Sequence, residues 1–343
     1  MQFLKLSCFS KSFPWLFRSA GMRRKWSVGL ILVLFFPIFS FSQNDFQRAE
    51  GYFKLEKFAQ AKPIFETHLK QNPKDKQTLE YLGDIAIHTK KWDDALTYYK
   101  ALVQEEESNA NYHYKYGGAL GMKAISVNKL LASTYIGDIK REFELAAKLD
   151  PKHIDTRWAL VEYYLQLPGI LGGSEKKAID YANELLAISP VDGYLANGHI
   201  AEYSKRYKDA EQFYKKAVGV GGSPLTYEKL ISLYEKDNQP AKALATASES
   251  LQKHQVNQLN YQIGKIAAES KLQPQYGIER LGHYVANYSK KDELPKAWAY
   301  YRLAQINKNL GEKQIALGWI DKALKDIPDF KEAKKERSLI LAL

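Results

Sequence analysis

The sequence predicts an all-α protein, a right-handed superhelical solenoid of about eight helix pairs followed by a C-terminal capping helix. Two observations predict it. Apolar residues recur at i, i+3, i+4 and i+7 along most of the chain, which is the periodicity of one helix face. A small residue, an aromatic residue nine positions later, an Ala three after that and an aromatic four further on also recur together. The copies are Gly83, Trp92, Ala95, Tyr99; Gly198, Tyr207, Ala210, Tyr214; and, more loosely, Ala49, Phe58, Ala61, Phe65.

The N-terminal part of the chain has the layout of an export signal. Its first 43 residues contain six basic residues and no acidic one, and they include an apolar run at residues 28–41. We expect a signal peptide at residues 22–43 that is cleaved near Gln43. If translation starts at Met22, residues 1–21 are an upstream extension from a misassigned start codon. An uncleaved membrane anchor is the alternative, but the apolar run is shorter than the roughly 20 residues that span a bilayer.

The net charge and the cysteine content indicate which partners and which cellular location to expect. Without the six basic residues of the leader, the formal net charge falls from +11 to +5. The remaining lysines are mixed with Glu and Asp, and no basic block carries interleaved aromatics, so we expect no nucleic-acid partner. Cys8 is the only cysteine and lies in the leader. The mature chain therefore depends on burial alone for its stability, and we expect it in the periplasm or outside the cell.

The predicted solenoid covers residues 44–328. We expect small residues where the two helices of a pair cross closely, and aromatics such as Trp92 and Tyr99 in the gaps between neighbouring pairs. A single pair cannot bury its apolar face, so each pair depends on its neighbours. The eight pairs are expected to begin near Asn44, Lys76, Ala110, His153, Val191, Pro224, Asn257 and Ala297.

The third and fourth pairs depart from the standard length. About ten extra residues at 123–139 should lengthen both helices or add a turn. Residues 167–174 replace a short turn in the fourth pair, and Ser174 is expected to cap the next helix. Gly172 and Gly173 precede that cap, where helix N–H groups could bind an anion. A lengthened turn that needs a positive φ at glycine is the interpretation that we favour.

The later pairs contain prolines at their turns. Pro240 and Pro274 are expected in the turns of the sixth and seventh pairs, and Pro63 in the first turn of a helix in the first pair. Residues 329–343 are expected to form the capping helix, with Lys and Glu on its outer face.

These features resemble the tetratricopeptide repeat, and the resemblance covers nearly all of residues 44–328. The departures in the third and fourth pairs are similar to those of a group of exported bacterial proteins with this repeat, which implies no established activity. The repeat implies that the first helices of successive pairs line a concave groove. Carried over to this chain, the groove positions are Asp84, His88, Tyr114, His199, Tyr203, Tyr261, Lys265, Trp298 and Tyr301.

This mixed aromatic and polar groove predicts a non-enzymatic scaffold of the cell envelope that binds proteins or peptides, because aromatics with a polar end suit peptide recognition. The alternative is an envelope-assembly or glycan-handling component that binds a small ligand at the extended third and fourth pairs. Contact with a membrane is expected only through an uncleaved leader.

No motif for catalysis, a cofactor or a metal is recognised. The seven histidines are widely separated and none pairs at i, i+4, so no helix offers two imidazoles to one zinc ion. No serine lies in a Gly-x-Ser-x-Gly turn. Gly117, Gly118 and Gly121 lie inside a helical pattern instead of after a strand, which argues against a phosphate-binding loop. We expect no enzyme activity, no cofactor and no metal.

Overall fold

In a computed structural model of the chain, residues 36–343 are described, with side chains from residue 45 onward. These residues form 17 α-helices in consecutive pairs and one short 3-10 helix, Gly169–Leu171, and they contain no strand. The prediction of an all-α array of helix pairs is confirmed. The expected upstream extension at 1–21 and most of the predicted signal peptide lie outside the described residues, so both stay predictions. No helix within residues 36–343 is both long enough and apolar enough to cross a membrane.

The chain divides between Ser189 and Pro190 into two compact units, unit 1 and unit 2. The helices of unit 1 are α1 (Phe36–Lys54), α2 (Phe58–Gln71), α3 (Lys76–His88), α4 (Trp92–Glu105), α5 (Ala110–Ser126), α6 (Lys129–Leu149), α7 (Ile154–Gln166) and α8 (Glu175–Ile188). The helices of unit 2 are α9 (Pro190–Tyr203), α10 (Tyr207–Gly221), α11 (Pro224–Lys236), α12 (Pro240–His254), α13 (Asn257–Ser270), α14 (Pro274–Ala286), α15 (Lys296–Asn309), α16 (Lys313–Asp326) and α17 (Lys331–Leu341).

Odd-numbered helices up to α15 are the first helices of the eight pairs, and even-numbered helices are the second. From the second pair onward, every first helix begins within one residue of its predicted start. The exception is α1, which begins at Phe36, before the predicted Asn44, so its first turns overlap the predicted leader.

Six α-helices are preceded by a residue whose side chain accepts a hydrogen bond from an otherwise unpaired N–H group of the first turn. Asp75, for example, accepts from the Thr78 N–H at 2.8 Å. The prediction that Ser174 caps the helix after the long loop is confirmed. Other capping side chains are those of Asn109, Asn128, His153 and Ser223.

Prolines are the first residues of four helices in unit 2, α9, α11, α12 and α14, where a missing N–H costs no helical bond. Among them, Pro240 and Pro274 begin the second helices of the sixth and seventh pairs. The expectation for Pro63 is wrong. The helix α2 begins at Phe58, so Pro63 lies in its second turn, where it lacks the N–H that would donate to the carbonyl of Ala59.

The extra residues of the third pair lengthen both of its helices, as one of the two alternatives predicted. The helix α5 has 17 residues and α6 has 21, whereas α3 has 13 and α4 has 14. Inside this longer pair, both ring nitrogens of the buried His113 are engaged. Nδ1 lies 2.6 Å from a carboxylate oxygen of Glu142 and Nε2 lies 2.8 Å from the Glu107 carbonyl oxygen. His113 thus links α5 to α6.

Glycine at the small-residue position lies directly against a ring of the second helix in the same pair. A Cβ added at Gly83 would lie 2.3 Å from Cε1 of Tyr99, and one added at Gly198 would lie 2.4 Å from Cε1 of Tyr214. The prediction that helices of a pair cross closely at these positions therefore has a direct geometric basis. Tyr99 also packs with Tyr112 of the next pair. The prediction that the aromatics fill gaps between pairs is correct only in part, because the same rings fill the crossing inside their own pair.

In five of the eight pairs, the turn between the two helices has the same backbone geometry. In these turns a residue with positive φ precedes the N-cap residue of the second helix, and the N–H of that N-cap residue donates to the carbonyl five positions earlier, as Lys91 does to Ala86 at 2.8 Å. The residues with positive φ in this place are Glu56, Lys90, Lys205, Asn238 and Gly311. Only one of the five is a glycine, so four of these turns hold an unfavourable conformation for an L-residue.

The last helix, α17, covers the apolar side of the eighth pair. Phe330, Ala333 and Ile340 are buried in one cluster with residues of α15 and α16. On its outer side, Arg337 contacts Asp321 at 2.7 Å. The helix therefore caps the array, as the sequence predicted for the C-terminal segment.

Candidate functional site

Side-chain bonds connect each first helix of unit 2 to the next first helix. The acidic partner always comes from the earlier helix and the basic partner from the following one. The pairs are Glu202 with Lys236, Glu235 with Lys265 at 3.0 Å, and Glu269 with Arg302 at 2.8 Å. We call the surface formed by these six residues with His199, Tyr203 and Trp298 the first-helix face.

The hydrogen bonds of Glu202 keep its carboxylate ionised on this face. Glu202 accepts a bond from the Tyr214 hydroxyl at 2.7 Å as well as from the Lys236 ammonium. Burial acts to raise the pKa of Glu202, but the bonds from Lys236 and Tyr214 outweigh burial and hold this pKa below its usual range. The carboxylate is therefore ionised at neutral pH and keeps its lysine partner in place.

In unit 1, the corresponding contacts are more deeply buried. The Lys115 side chain is 9 % exposed, and its Nζ lies 2.7 Å from a carboxylate oxygen of Glu80 and 2.7 Å from one of Asp84. The Tyr99 hydroxyl also donates to Asp84, at 2.6 Å. Burial raises the pKa of Asp84, although the Lys115 ammonium acts in the opposite direction. This network joins the second and third pairs.

Four of the nine predicted groove residues are buried, and packing accounts for each. Asp84 belongs to the network with Lys115. Tyr114 lies against His153, with ring centroids 5.2 Å apart, and Tyr301 lies against Phe330 at 5.4 Å. Tyr261 packs against Tyr284 at 5.4 Å. These four side chains join helices, so they offer little surface to a partner.

The other five predicted groove residues keep some exposed surface. His88 is exposed and its ring stacks on Phe58, with centroids 4.7 Å apart. In unit 2, His199, Lys265 and Trp298 are half-buried. Tyr203, the last residue of α9, is 49 % exposed. It is the most open aromatic of the predicted groove set, and Glu202 with its fixed charge precedes it in the chain.

The long loop of the fourth pair uses its backbone N–H groups within the protein. Gly173 N–H donates to the Pro168 carbonyl at 3.1 Å, and Ser174 N–H donates to the Tyr164 carbonyl at 2.8 Å. Gly172 has a φ of 95°, and a Cβ added at Gly173 would lie 1.7 Å from the carbonyl oxygen of Leu167. The glycines thus serve a lengthened turn. Since these N–H groups are already bonded, the loop offers little to an anion.

Sequence reasoning missed the bonds between successive first helices, although the sequence contains a signal for them. Opposite charges stand about one repeat apart, as with Glu202 and Lys236, which are 34 positions apart. A search for acidic and basic residues separated by one period would have found this pair. Such a search would also have indicated that Lys265 has a partner, namely Glu235.

Among residues 36–343, no group of three or more His, Cys, Asp or Glu side chains is arranged to hold a metal ion. The site therefore consists of fixed ion pairs and aromatic rings. Such a surface can bind a peptide by ring contact and by charge.

Comparison with known proteins gives one family and several similar structures. The family model for the tetratricopeptide repeat matches residues 46–112. A tetratricopeptide repeat protein from Parabacteroides merdae ATCC 43184 is 13 % identical with a TM-score of 0.48, over 88 % of this chain and 98 % of that one.

Two further structures are similar to shorter parts of the chain. YrrB, described as a TPR protein with an unusual peptide-binding site, is 16 % identical with a TM-score of 0.42, over 57 % of this chain and 97 % of its own. A thermophilic TPR protein from Thermus thermophilus is 15 % identical with a TM-score of 0.38, over 71 % of this chain and 99 % of its own. With TM-scores below 0.5, no function follows from these similarities. No curated protein matches the chain by sequence.

Proposed function

We propose that this chain, whose residues 46–112 match the family model for the tetratricopeptide repeat, is a protein-interaction scaffold that binds a peptide or an extended protein segment on the first-helix face of unit 2. The observation that carries this proposal is Tyr203, an aromatic side chain that is 49 % exposed at the end of α9. Its neighbour Glu202 is fixed by Tyr214 and Lys236. The charges beside the ring are thus held in place before a partner arrives, which lowers the entropy cost of binding.

The expected partner carries an apolar or aromatic side chain for Tyr203 and polar groups for the ion pairs around it. A few aromatic anchors supply most of the binding energy in such interfaces, and surrounding charges select the partner. This chemistry fits a peptide better than a small apolar ligand, since the face is a surface of paired charges and rings. Proteins with this repeat are generally non-catalytic scaffolds, and we propose that this chain has no enzyme activity.

We place the scaffold in the cell envelope, in the periplasm or outside the cell. The support is the basic and apolar pattern of residues 22–43, which is typical of an export signal. Cell fractionation and mass spectrometry of the mature N-terminus test this placement. A mature chain that begins near Gln43 is the expected result, and a cytoplasmic chain that retains residues 22–43 would contradict it.

Peptide selection followed by affinity measurement tests the binding face. A peptide selected from a displayed library on the wild-type chain should lose about tenfold in affinity, or ~1.4 kcal/mol, when Tyr203 becomes Ala. Ile315→Ala is the matched control, because Ile315 is 51 % exposed but lies on the second helix α16. Its affinity for the peptide should stay that of the wild type.

Two results of this experiment would contradict the proposed binding surface. If no peptide is selected, or if Tyr203→Ala and Ile315→Ala bind the peptide equally well, the first-helix face is not the binding surface. A photo-reactive residue at position 203 adds a test in the cell, since it should form a discrete adduct that the same residue at position 315 does not form.

The alternative function, a small-ligand or glycan site at the third and fourth pairs, has less support. The backbone N–H groups of Gly173 and Ser174 donate within the protein, and the extra residues of the third pair extend helices.

A further inference from the structure

The most exposed large apolar side chains lie where unit 1 departs from the standard repeat length. Among the described residues, Ile170 is 94 % exposed and Leu130 is 84 % exposed, more than any other large apolar side chain. Ile170 belongs to the 3-10 helix of the long loop, and Leu130 belongs to the first turn of α6. We call these two residues, together with the exposed Ile125, Leu131 and Leu171, the apolar tip.

The two parts of the apolar tip lie at the same edge of unit 1. The helices α6 and α7 follow each other with a short connection, so they are antiparallel and the start of α6 lies near the end of α7. The Tyr163 hydroxyl of α7 donates to the Ile136 carbonyl of α6 at 3.2 Å, and the start of α6 lies about 10 Å beyond Ile136. The long loop leaves α7 and returns beside it, because the Ser174 N–H donates to the Tyr164 carbonyl at 2.8 Å. Ile170 therefore lies at the outer end of this loop, near the start of α6.

The edge around the apolar tip is basic. Residues 89–94, which form the turn of the second pair, belong to the same edge, because Asp93 contacts Lys123 near the end of α5 at 2.7 Å. Within residues 89–94, 125–131 and 168–177 there are five lysines and three acidic residues. Two of the three acidic residues are paired with lysines outside these ranges, Asp93 with Lys123 and Asp94 with Lys62 at 3.7 Å. The five lysines of the edge are all exposed, namely Lys90, Lys91, Lys129, Lys176 and Lys177.

The chemistry of this edge fits a lipid interface better than a protein partner. The apolar tip consists of leucine and isoleucine, whereas the anchors of protein interfaces are mainly Trp, Tyr and Arg, with Leu under-represented. Its side chains project outward from two turns, as their high exposure shows. Aliphatic side chains next to lysines are typical of surfaces that enter the boundary between the headgroups and the acyl chains of a bilayer. Anionic headgroups attract the lysines of such a surface.

We propose that the apolar tip inserts into the interface of a bilayer that contains anionic phospholipids. Leu130 and Ile170 enter the acyl boundary, and the five lysines of the edge lie at the level of the lipid phosphates. This contact is additional to any contact through the predicted leader. Because the apolar tip belongs to unit 1, membrane binding is a property separate from peptide binding on the first-helix face of unit 2.

An environment-sensitive fluorophore beside Ile170 tests this insertion on the full chain. Cys8 is the only cysteine, so Cys8→Ser with Gly169→Cys gives one thiol to label, and nothing lies within 4 Å of a Cβ added at Gly169. The probe fluorescence should rise severalfold with vesicles of equal parts phosphatidylcholine and phosphatidylglycerol, and nitroxide-labelled lipid should quench it. Vesicles of phosphatidylcholine alone should give a much smaller rise. The probe reports only its own surroundings, so membrane binding by the predicted leader alone does not produce this signal.

The matched control carries the same probe at Gly318→Cys, since Gly318 is exposed on α16 and a Cβ added there also has nothing within 4 Å. Its fluorescence should not change with either vesicle. Lipid titrations of the probe at position 169 then measure the affinity of variants.

In these titrations, Ile170→Ser and Leu130→Ser should each lower the affinity for the anionic vesicles by about tenfold. Lys176→Gln should lower it by about fivefold. These side chains are exposed, so the substitutions do not threaten the fold. Ile315→Ser, which removes an exposed apolar side chain of α16, should leave the affinity unchanged, as should Tyr203→Ala on the first-helix face.

Four results would overturn the proposal. The probe at position 169 shows no rise with anionic vesicles, or the probe at position 318 shows an equal one. Neutral and anionic vesicles bind equally well, or Ile170→Ser binds like Ile315→Ser. A rise that depends on protein concentration and needs no lipid would instead identify the apolar tip as an interface between copies of this chain, which also contradicts insertion.

Discussion

Gly83→Ala tests whether the close crossing of paired helices depends on the absence of a single carbon atom. Gly83 lies in α3, and a Cβ added there would lie 2.3 Å from Cε1 of Tyr99 and 2.7 Å from its Cδ1. The ring cannot easily move away. It is buried, its hydroxyl donates to Asp84 at 2.6 Å, and the Lys115 ammonium lies 5.7 Å from its centroid.

The expected loss of stability follows from two opposing contributions. Gly→Ala inside a helix stabilises it by about 1 kcal/mol through helix propensity. Moving the Tyr99 ring to a normal contact distance costs ~2–4 kcal/mol, since it overpacks the crossing and strains the bond to Asp84. The net expectation is a destabilisation of ~1–3 kcal/mol. Gly118→Ala is the control, because nothing lies within 4 Å of a Cβ added there, and it should stabilise α5 by up to about 1 kcal/mol.

Urea unfolding followed by circular dichroism measures both variants, and hydrogen exchange of α3 and α4 shows whether the effect is local. In the Tyr99→Leu background, Gly83→Ala should cost less stability than it does in the wild type, because the smaller side chain leaves room for the new carbon. The reasoning is refuted if Gly83→Ala is as stable as Gly118→Ala, or if Gly83→Ala costs as much in the Tyr99→Leu background as in the wild type.

Two further predictions concern the turns and the charges of unit 2. Lys205 has a φ of 60°, so Lys205→Gly should raise the free energy of unfolding by ~0.5–1 kcal/mol. Gly311→Ala, at a φ of 81°, should lower it by ~1 kcal/mol. If urea titrations show that both substitutions change the free energy of unfolding with the same sign, this reasoning is contradicted. Burial acts to raise the pKa of Glu211, but bonds from Lys215 and Tyr234 outweigh it and lower this pKa to about 2. Glu211 stabilises the folded protein fully above pH 4.5, the ordinary pKa of its carboxyl group, and this stabilisation is lost as the pH falls to about 2. The difference in melting temperature between wild type and Glu211→Gln should therefore shrink over that window.

Most of the fold could be predicted because the repeat places small and aromatic residues at a fixed spacing in the sequence. The starts of α3, α5, α11 and α13 fall on the predicted residues, since each follows a capping or turn segment that the sequence displays. The sequence did not place Pro63 correctly, because helix propensity disfavours a proline inside a helix, whereas the packing of the buried Ala61 and Phe65 keeps α2 helical despite the lost bond. It also left open whether residues 123–139 extend helices or form a turn, since both satisfy the same apolar pattern.

The candidate site was harder to predict, because position within a first helix decides exposure and residue type does not. Tyr114 and Tyr301 lie in the early turns of their helices, and each is covered by the residue that precedes the next first helix or the cap, namely His153 and Phe330. Tyr203 is the last residue of α9, beyond the reach of such a neighbour, and is half-exposed. A family position therefore identifies a side of the helix, whereas the packing of the following helix decides whether a ring at that position can meet a partner.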